Sequence, residues 1–356
     1  MNDRPRFLIF SKEEQMLLTK RLALLLRSGV PILSALSLMQ EEARTRSSIH
    51  ILATLRETVA SGRPLSQGLA PFRRNFGDLG MHLIEVGETS GTLAEHLERF
   101  SQSIKKERML KRKVIGALIY PAIIVCATLG ITMLLILYVF PKIIPVFKGF
   151  HAKLPLSTRF LIGADAFFSQ YGVFVIGFVL AFIAGLYYLF RFELACRIRD
   201  RYVLRIPLFG TLLREYIIAG FCRALGTLIR SGVGVVRAVE MCASGMGNLA
   251  YREACVAVAA RISSGQKASK SFSAEPRLFP SLMLQMLTVG ESTGSLSDNL
   301  LFCADFYEEE IDELSKNIAV LVEPMLMIVM GLIVGFIALA IITPIYGITQ
   351  NLTSYH

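Results

Sequence analysis

The octapeptide VGETSGTL at 86–93 returns as VGESTGSL at 289–296, an offset of 203 residues (from 86 to 289). The same offset, without a gap, carries the RSGV at 27–30 onto the RSGV at 230–233, Ala35 onto Ala238, Ser61-Gly62 onto Ser264-Gly265, Ser66 onto Ser269, Phe76 onto Phe279 and Leu97 onto Leu300. It also carries Pro121 onto Pro324 and Pro141 onto Pro344. One register held over so long a stretch is the mark of a duplicated structural unit. Whatever fold one copy adopts, the chain must adopt twice.

Each copy runs into a stretch without charge. A membrane-crossing helix needs about 20 apolar residues, and three segments qualify. They are 114–140 between Lys113 and Lys142, a run between Asp165 and Arg191 with its core at 171–190, and a run from Pro324 that no charged side chain follows. The composition agrees, with 53% hydrophobic and only 19% charged residues, against roughly 25% charged in soluble domains. Lysine and arginine set the orientation. KKERMLKRK at 105–113 and RFELACRIRDRYVLR at 191–205 belong inside, while the connection between them holds only Lys142, Lys148, Lys153 and Arg159. The net charge of +10 is therefore a membrane-flank effect rather than a nucleic-acid footprint.

The expected plan is a cytoplasmic bundle at 1–113, transmembrane helices at 114–141, 166–190 and 324–346, an external loop at 142–165, a second cytoplasmic bundle at 191–323, and an external tail at 347–356. The middle span has no counterpart in the repeat; it returns the chain inside for the second copy. The start, MNDRPRFLIFSKEEQ, has apolar stretches too short for a signal-peptide core, so the mature chain is expected to begin there. The six cysteines show no C-x-x-C or zinc spacing and read as small apolar residues.

Each copy reads as helices only. Ser11-Lys12-Glu13-Glu14 is a capping box opening a helix to about Ser28, with Gly29 as its stop. Pro31 suits the first turn of the next helix, and Gly234 at its counterpart gives a looser start. Further helices are expected at 47–61, 65–69, 76–86 and from Thr92 to Lys113, the last continuing into the membrane as a mechanical link. The octapeptide is then a helix stop, a turn and a helix start. Gly87 and Gly91, with Gly290 and Gly294, would bracket the corner because glycine reaches φ > 0 without steric cost. Thr92 with Glu95, and Ser295 with Asp298, would form capping boxes.

Glu88 and Glu291 sit in that corner. A carboxylate there can accept from the free N–H groups of a nearby helix start. It can pair with an arginine at the same offset, Glu88 with Arg27 and Glu291 with Arg230. It can also act in catalysis, but without histidine, cysteine or metal-ligand companions this is the weakest reading.

The chemistry of most enzymes is missing. There is no Gly-Lys dipeptide and hence no phosphate-binding loop, no H-E-x-x-H, no G-x-S-x-G elbow, and no metal spacing among the five histidines. No catalytic, cofactor-binding or metal residue is assigned and no cofactor is expected. The spans lack central ionisable groups, which pumps and proton-coupled carriers need. A repeat-built transporter or channel is the alternative reading, but repeats in transporters consist mainly of spans, and here most of each repeat is soluble.

Two further features invite partners. Gly331 and Gly335 form a G-x-x-x-G face on the last span, suited to close helix packing. The last helices of the two bundles differ in sign: Lys105, Lys106, Arg108, Lys111, Arg112 and Lys113 in the first face Glu308, Glu309, Glu310, Asp312 and Glu313 in the second. One reading is a solvated acidic face. The sharper one starts from the repulsion of an acidic stretch by anionic lipid at the inner leaflet and has Glu308 and Glu309 meet a cation: first Lys105 and Lys106, in the same chain or a neighbour, then a basic patch on a partner protein, and last a divalent metal.

Taken together, the paired GETSGTL and GESTGSL, the RSGV turns, IPLFGTLL at 206–213, ALIYP at 117–121 and VEPMLMIVMGLIVGFIALAIITPIY at 322–346 resemble the F protein family, the inner-membrane platform proteins of type II secretion and type IV pilus assembly. The resemblance covers nearly the whole chain. It implies an all-α multipass protein with two homologous six-helix cytoplasmic bundles and three transmembrane helices, N-terminus cytoplasmic and C-terminus periplasmic. It further implies a non-enzymatic scaffold that couples a cytoplasmic assembly ATPase to pilin or pseudopilin polymerisation. The implied partners are that ATPase, the pilins, other inner-membrane assembly proteins and further copies of the chain, with no nucleic acid. The short arm before the first helix departs from many members, whose longer leaders contact the ATPase.

Overall fold

The computed structural model describes residues 10–139, 200, 202–204 and 209–353, with scattered single positions between 142 and 185. The expected external loop and the middle span lie almost wholly outside the described residues, as do residues 1–9 and Cys196. Every regular element among the described residues is helical.

The first repeat comprises α1 (Lys12–Arg27), α2 (Ile32–Glu41), α3 (Arg46–Ala60), α4 (Leu65–Leu69), α5 (Arg73–Thr89) and α6 (Leu93–Leu134). The second comprises α7 (Phe209–Arg230), α8 (Val235–Gly245), α9 (Leu249–Ser263), α10 (Ala268–Ser273), α11 (Ser281–Thr293) and α12 (Leu296–Thr353). Two compact units emerge: residues 1–113 with 200–312, and residues 114–199 with 313–356.

Within the first unit, local chemistry sets the helix ends. Ser11 Oγ accepts from the N–H of Glu14, and Glu14 accepts from the N–H of Ser11 at 2.8 Å, closing the capping box. Burial works to raise the Glu14 carboxyl pKa, but hydrogen bonds from Thr45, Ser11 and Ser48 outweigh it and hold the pKa low. Thr45 caps α3 and its counterpart Asn248 caps α9. The helices α1, α3, α7 and α9 all end alike, with a glycine N–H and the next N–H bonded back three and five residues, as at Gly29→Leu26 and Val30→Leu25. This crossed pair satisfies carbonyls that the helix itself leaves open.

Three pairs of glycines at the repeat offset share positive φ: Gly29 and Gly232 (82° and 85°), Gly62 and Gly265 (75° and 90°), and Gly91 and Gly294 (72° and 73°). The duplication is thus written into the backbone. Pro31 and Gly234 both precede their helices rather than entering them, with nearly equal dihedrals (φ −56, ψ 141 and φ −60, ψ 144). The looser start expected at Gly234 is not seen.

The fifth helix is longer than the expected 76–86 and is broken at Gly77 (φ 69, ψ 170). At the same place in the second copy Pro280 stands just before α11. One break is made by a residue that can leave helical space, the other by one that removes a donor.

Leu22, Leu36, Ile51, Leu55, Leu65 and Ile84 are all but sealed from solvent and form the first core. The second core is aromatic. Phe272 and Phe279 meet edge to face at 4.9 Å, and Phe221 and Tyr251 pack on Phe279. The Tyr251 hydroxyl donates to the carbonyl of Leu278 at 3.0 Å, so the ring can be buried without a stranded polar atom.

The helices α6 and α12 each hold a stretch long and apolar enough to cross a membrane, within Leu93–Leu134 and Leu296–Ala340. Side chains such as Leu129, Ile131, Met325, Ile328 and Leu332 point outward. Outward apolar side chains on a charge-free helix suit lipid rather than water.

The corner glycines separate two physical roles, and this can be tested. At Gly91 and Gly294 an added Cβ meets nothing within 4 Å, so the cost of Gly91→Val is backbone strain alone, about 1–2 kcal/mol. Gly91→Asn should recover much of that loss, since asparagine tolerates the left-handed region. Thermal unfolding of the detergent-solubilised chain checks it, and equal losses for Val and Asn would count against φ as the cause.

Candidate functional site

The corner is built differently from the stop-and-turn that the octapeptide suggests. The helix α5 continues through Gly87 and Glu88 to Thr89. Gly87 is therefore helical, not left-handed, and the expectation of φ > 0 at Gly87 and Gly290 is corrected. Both are small because another helix passes close. A Cβ on Gly87 would lie 2.9 Å from the His96 Cβ and 3.0 Å from the Leu93 Cα, and one on Gly290 would lie 2.8 Å from the Leu296 Cα. Only Gly91 and Gly294 turn the chain.

The expected capping boxes after the turn are also replaced. Thr92 Oγ1 is shared between Ser90 Oγ at 2.6 Å and His96 Nδ1 at 3.2 Å, while Glu95 pairs with Arg99. In the second copy Ser295 bonds Thr293 at 2.6 Å, and Asp298 pairs with Arg230. Acids placed for a cap were drawn instead to nearby guanidinium groups.

Glu88 and Glu291 do the same job in both copies. Glu88 accepts from the N–H groups of Leu65 and Ser66 and from the Ser66 hydroxyl. Glu291 accepts from the N–H groups of Ala268 (2.8 Å) and Ser269 (3.3 Å) and from the Ser269 hydroxyl (2.6 Å). Each carboxylate caps the start of a short helix, α4 or α10, whose free donors need an acceptor. Burial tends to raise the Glu291 pKa, but the Ser269 hydroxyl and the two backbone donors outweigh it and hold it below the usual range. The arginine pairings do not form: Arg230 goes to Asp298, and both Glu88 oxygens are taken by the α4 start.

The two repeats meet within the first unit. Asp78, one residue past the Gly77 break, accepts from the Ser244 hydroxyl of α8 at 2.7 Å and is held by Arg73. The Ser244 and Arg73 hydrogen bonds lower the Asp78 pKa. Lys106 of α6 reaches Asp305 at 3.1 Å and Glu308 at 2.8 Å on α12, and Arg223 of α7 grips the same two acids. Arg223 and Glu308 are deep in the joint, with side chains 16% and 12% exposed. Lys113 meets Asp312 at 3.0 Å.

Of the four residues expected to dock, Lys106 and Glu308 are thus together inside the chain. Lys105 and Glu309 remain exposed. Desolvation lowers the Lys106 pKa, but Glu308 and Asp305 more than compensate and raise it. At Asp305 burial works to raise the pKa, but the Arg223 and then the Lys106 contacts outweigh it and lower it. A lowered acid loses its contribution only as pH falls through its folded pKa, and a raised base only as pH rises through its own. Lys106, Arg223 and Asp305 therefore stay charged across the neutral range. Beside it lies a cavity of about 480 Å³, walled by Phe76, Leu79, Phe100, Ile104, Ile217 and Phe221 among others.

Arg223, Asp305, Asp78 and Ser244 escaped the sequence reading. Arg223 offers one weak signal, because Lys20 at the same offset is also basic. Cys222, Cys242, Cys255 and Cys303 are buried, and burial raises each thiol pKa. Gly331 and Gly335 on α12 have nothing within 4 Å of an added Cβ.

Glu215 on α7 is a further unexpected group. Its Oε2 is buried without a hydrogen-bond partner. Burial first, and then the neighbouring Glu310, push its pKa to about 7, against Arg214.

Two outcomes follow from these groups. Glu291→Ala should cost about 2–3 kcal/mol by stranding two donors and a hydroxyl, whereas Arg230→Met should cost under about 1 kcal/mol as an exposed pair. Similar losses in thermal unfolding would favour an arginine partner for Glu291 after all. Glu215 retains in the fold a proton that the unfolded chain loses above its ordinary pKa of 4.5. Its contribution therefore falls as pH rises from there to about 7. Glu215→Gln should shrink the drop in unfolding temperature between pH 5 and pH 8, and an unchanged drop would reject the assignment.

The match to a known family spans both repeats. The family model of the type II secretion system protein F matches residues 18–141 and again 221–344, the same 203-residue spacing. The type IV pilus assembly protein TapC of Aeromonas hydrophila is 30% identical over 333 residues, covering 93% of this chain and 80% of the relative. The type II secretion system protein F of Aeromonas hydrophila is 31% identical over 349 residues, covering 96% and 88%. The type IV pilus assembly protein PilC of Pseudomonas aeruginosa is 30% identical over 336 residues, covering 93% and 88%. With two matched copies in register and relatives aligned over most of their length, the chain belongs to the type II secretion system protein F family.

Proposed function

We propose that the chain is the inner-membrane platform of a type II secretion or type IV pilus assembly machine. In this reading it couples a cytoplasmic assembly ATPase to the polymerisation of pilin or pseudopilin subunits. The observation that carries it is the double family match, with relatives named for both machines. The all-helical repeats, joined by the ion network, support it, since a platform transmits force through joints and faces.

The chain is placed with both repeats' soluble parts in the cytoplasm, three spans and a periplasmic C-terminus, from the Lys and Arg bias. The open Gly331 and Gly335 face suits close packing against another membrane helix. The caps at Glu88 and Glu291 and the joint at Lys106 and Glu308 would hold the bundles in one register while the ATPase works on them.

The test uses the full-length tagged chain in its native membrane. An assembly ATPase and a pilin or pseudopilin should co-purify with it, and a reporter fused at Lys153 should read periplasmic while one at Ser264 reads cytoplasmic. Deletion of the gene should abolish the fibre or the secreted product. Intact assembly in the deletion strain, or a cytoplasmic reading at Lys153, would overturn the reading.

A further inference from the structure

The joint between the repeats is one-sided. The groove between α7 and α8 of the second repeat receives the start of α5 and a face of α6 from the first. The first repeat has the counterpart groove between α1 and α2. Leu17, Leu18, Met39 and Thr45 line it at the places where Gly220, Phe221, Cys242 and Asn248 line the occupied one. This groove is open: Leu17 is 43% and Leu38 50% exposed, whereas Met241, at the counterpart of Leu38, is 9% exposed. The matching face of the second repeat, the start of α11 and one side of α12, is likewise exposed at Ser281, Phe306 and Glu309.

We propose that a second copy of this chain fills the open groove. The α11/α12 face of one copy docks into the α1/α2 groove of the next and repeats between copies the joint that each copy makes within itself. The inference does not depend on which machine the platform serves.

The pairs that would meet are complementary, and their chemistry is swapped between partners. Within the chain, the Asp78 carboxylate accepts from the Ser244 hydroxyl. The counterpart pair is Ser281 and Glu41, a hydroxyl and a carboxylate on exchanged sides. Within the chain, Lys106 meets Glu308 beside Arg223. The counterparts are Glu309, Lys105 and Lys20, an acid facing two bases. All three are exposed, and none pairs with an opposite charge among the described residues.

Bulk is swapped as well. Ser103 and Gly220 both line the cavity of the internal joint, where they leave space. Their counterparts are Phe306 and Leu17, large apolar side chains exposed to 37% and 43%. One like-charge approach would arise, Glu310 toward Glu13, and Arg108 already neutralises Glu13 at 2.5 Å. Drift after duplication gives no reason for both members of each pair to change together. Because the contact joins two different faces, it is heterologous, and it closes into a ring or extends as a row according to its rotation.

The test is cysteine crosslinking in native membranes. Two differently tagged full-length chains, both carrying Cys126→Ala and Cys196→Ala, are co-expressed, one with Leu17→Cys and the other with Phe306→Cys. The mixed pair should crosslink under mild oxidation. Leu17→Cys with itself, Phe306→Cys with itself, and Leu17→Cys with Val256→Cys should crosslink at least about tenfold less. Glu309→Lys should reduce the mixed crosslink about tenfold or more by opposing like charges, and adding Lys20→Glu with Lys105→Glu should restore part of it. Positions 17, 20, 105, 256, 306 and 309 are exposed, and helical content measured on the purified chains confirms that the variants fold. Strong self-crosslinking of either variant would mean a two-fold interface and overturn the proposal. So would a Val256→Cys crosslink of equal strength, or an absent mixed crosslink in chains that fold normally.

Discussion

A guanidinium group held between two carboxylates at the meeting of two bundles sets the terms for everything around it. Arg223 and Lys106 share Asp305 and Glu308, and both Arg223 and Glu308 are largely withdrawn from water. Removing charges from water is costly, and their mutual attraction does little more than offset that cost. Such a cluster is poor glue. Its value lies in direction, because any sliding of α6 along α12 would leave a charge stranded. Beside the ions lies the cavity of about 480 Å³, so part of the joint lacks close apolar packing and the ions add the direction it lacks.

The duplication shows which parts of a helical unit resist change. The helix stops at Gly29, Gly62 and Gly91, and the carboxylate cap of the fourth helix, recur almost unaltered. The cores recur only in part. Ala35, Phe76 and Leu97 meet their like at Ala238, Phe279 and Leu300, but Leu18, Leu55 and Leu69 in the first copy stand where Phe221, Val258 and Phe272 stand in the second. A left-handed backbone position accepts few residues, whereas a core accepts any set that fills its volume and satisfies its polar atoms.

Much of this was legible from residues alone. The helices, the first capping box and the stop at Gly29 follow from local rules, because each depends on groups within a few residues. The role of Glu88 as a cap was one of three readings, and the distant partner that settles it, the start of α4, is 22 or 23 residues away. The mistaken reading of Gly87 has the same origin. A glycine needed for φ and a glycine needed for a neighbour's approach look identical in a sequence. Lys106 with Glu308 was visible as a sign mismatch, but Arg223 was not, since nothing near it in the chain marks it as the shared partner.

The breaks at Gly77 and Pro280 carry a different consequence. Each lies at the start of a docking face, directly before Asp78 and Ser281. Glycine leaves that segment many conformations to give up on ordering, and proline leaves it few. The face beginning at Asp78 meets its groove inside the same polypeptide, where the connecting chain keeps the two at high effective concentration and the entropy loss is bearable. The face beginning at Ser281 has no such tether to a groove, and it is the one whose shape is set in advance by a ring.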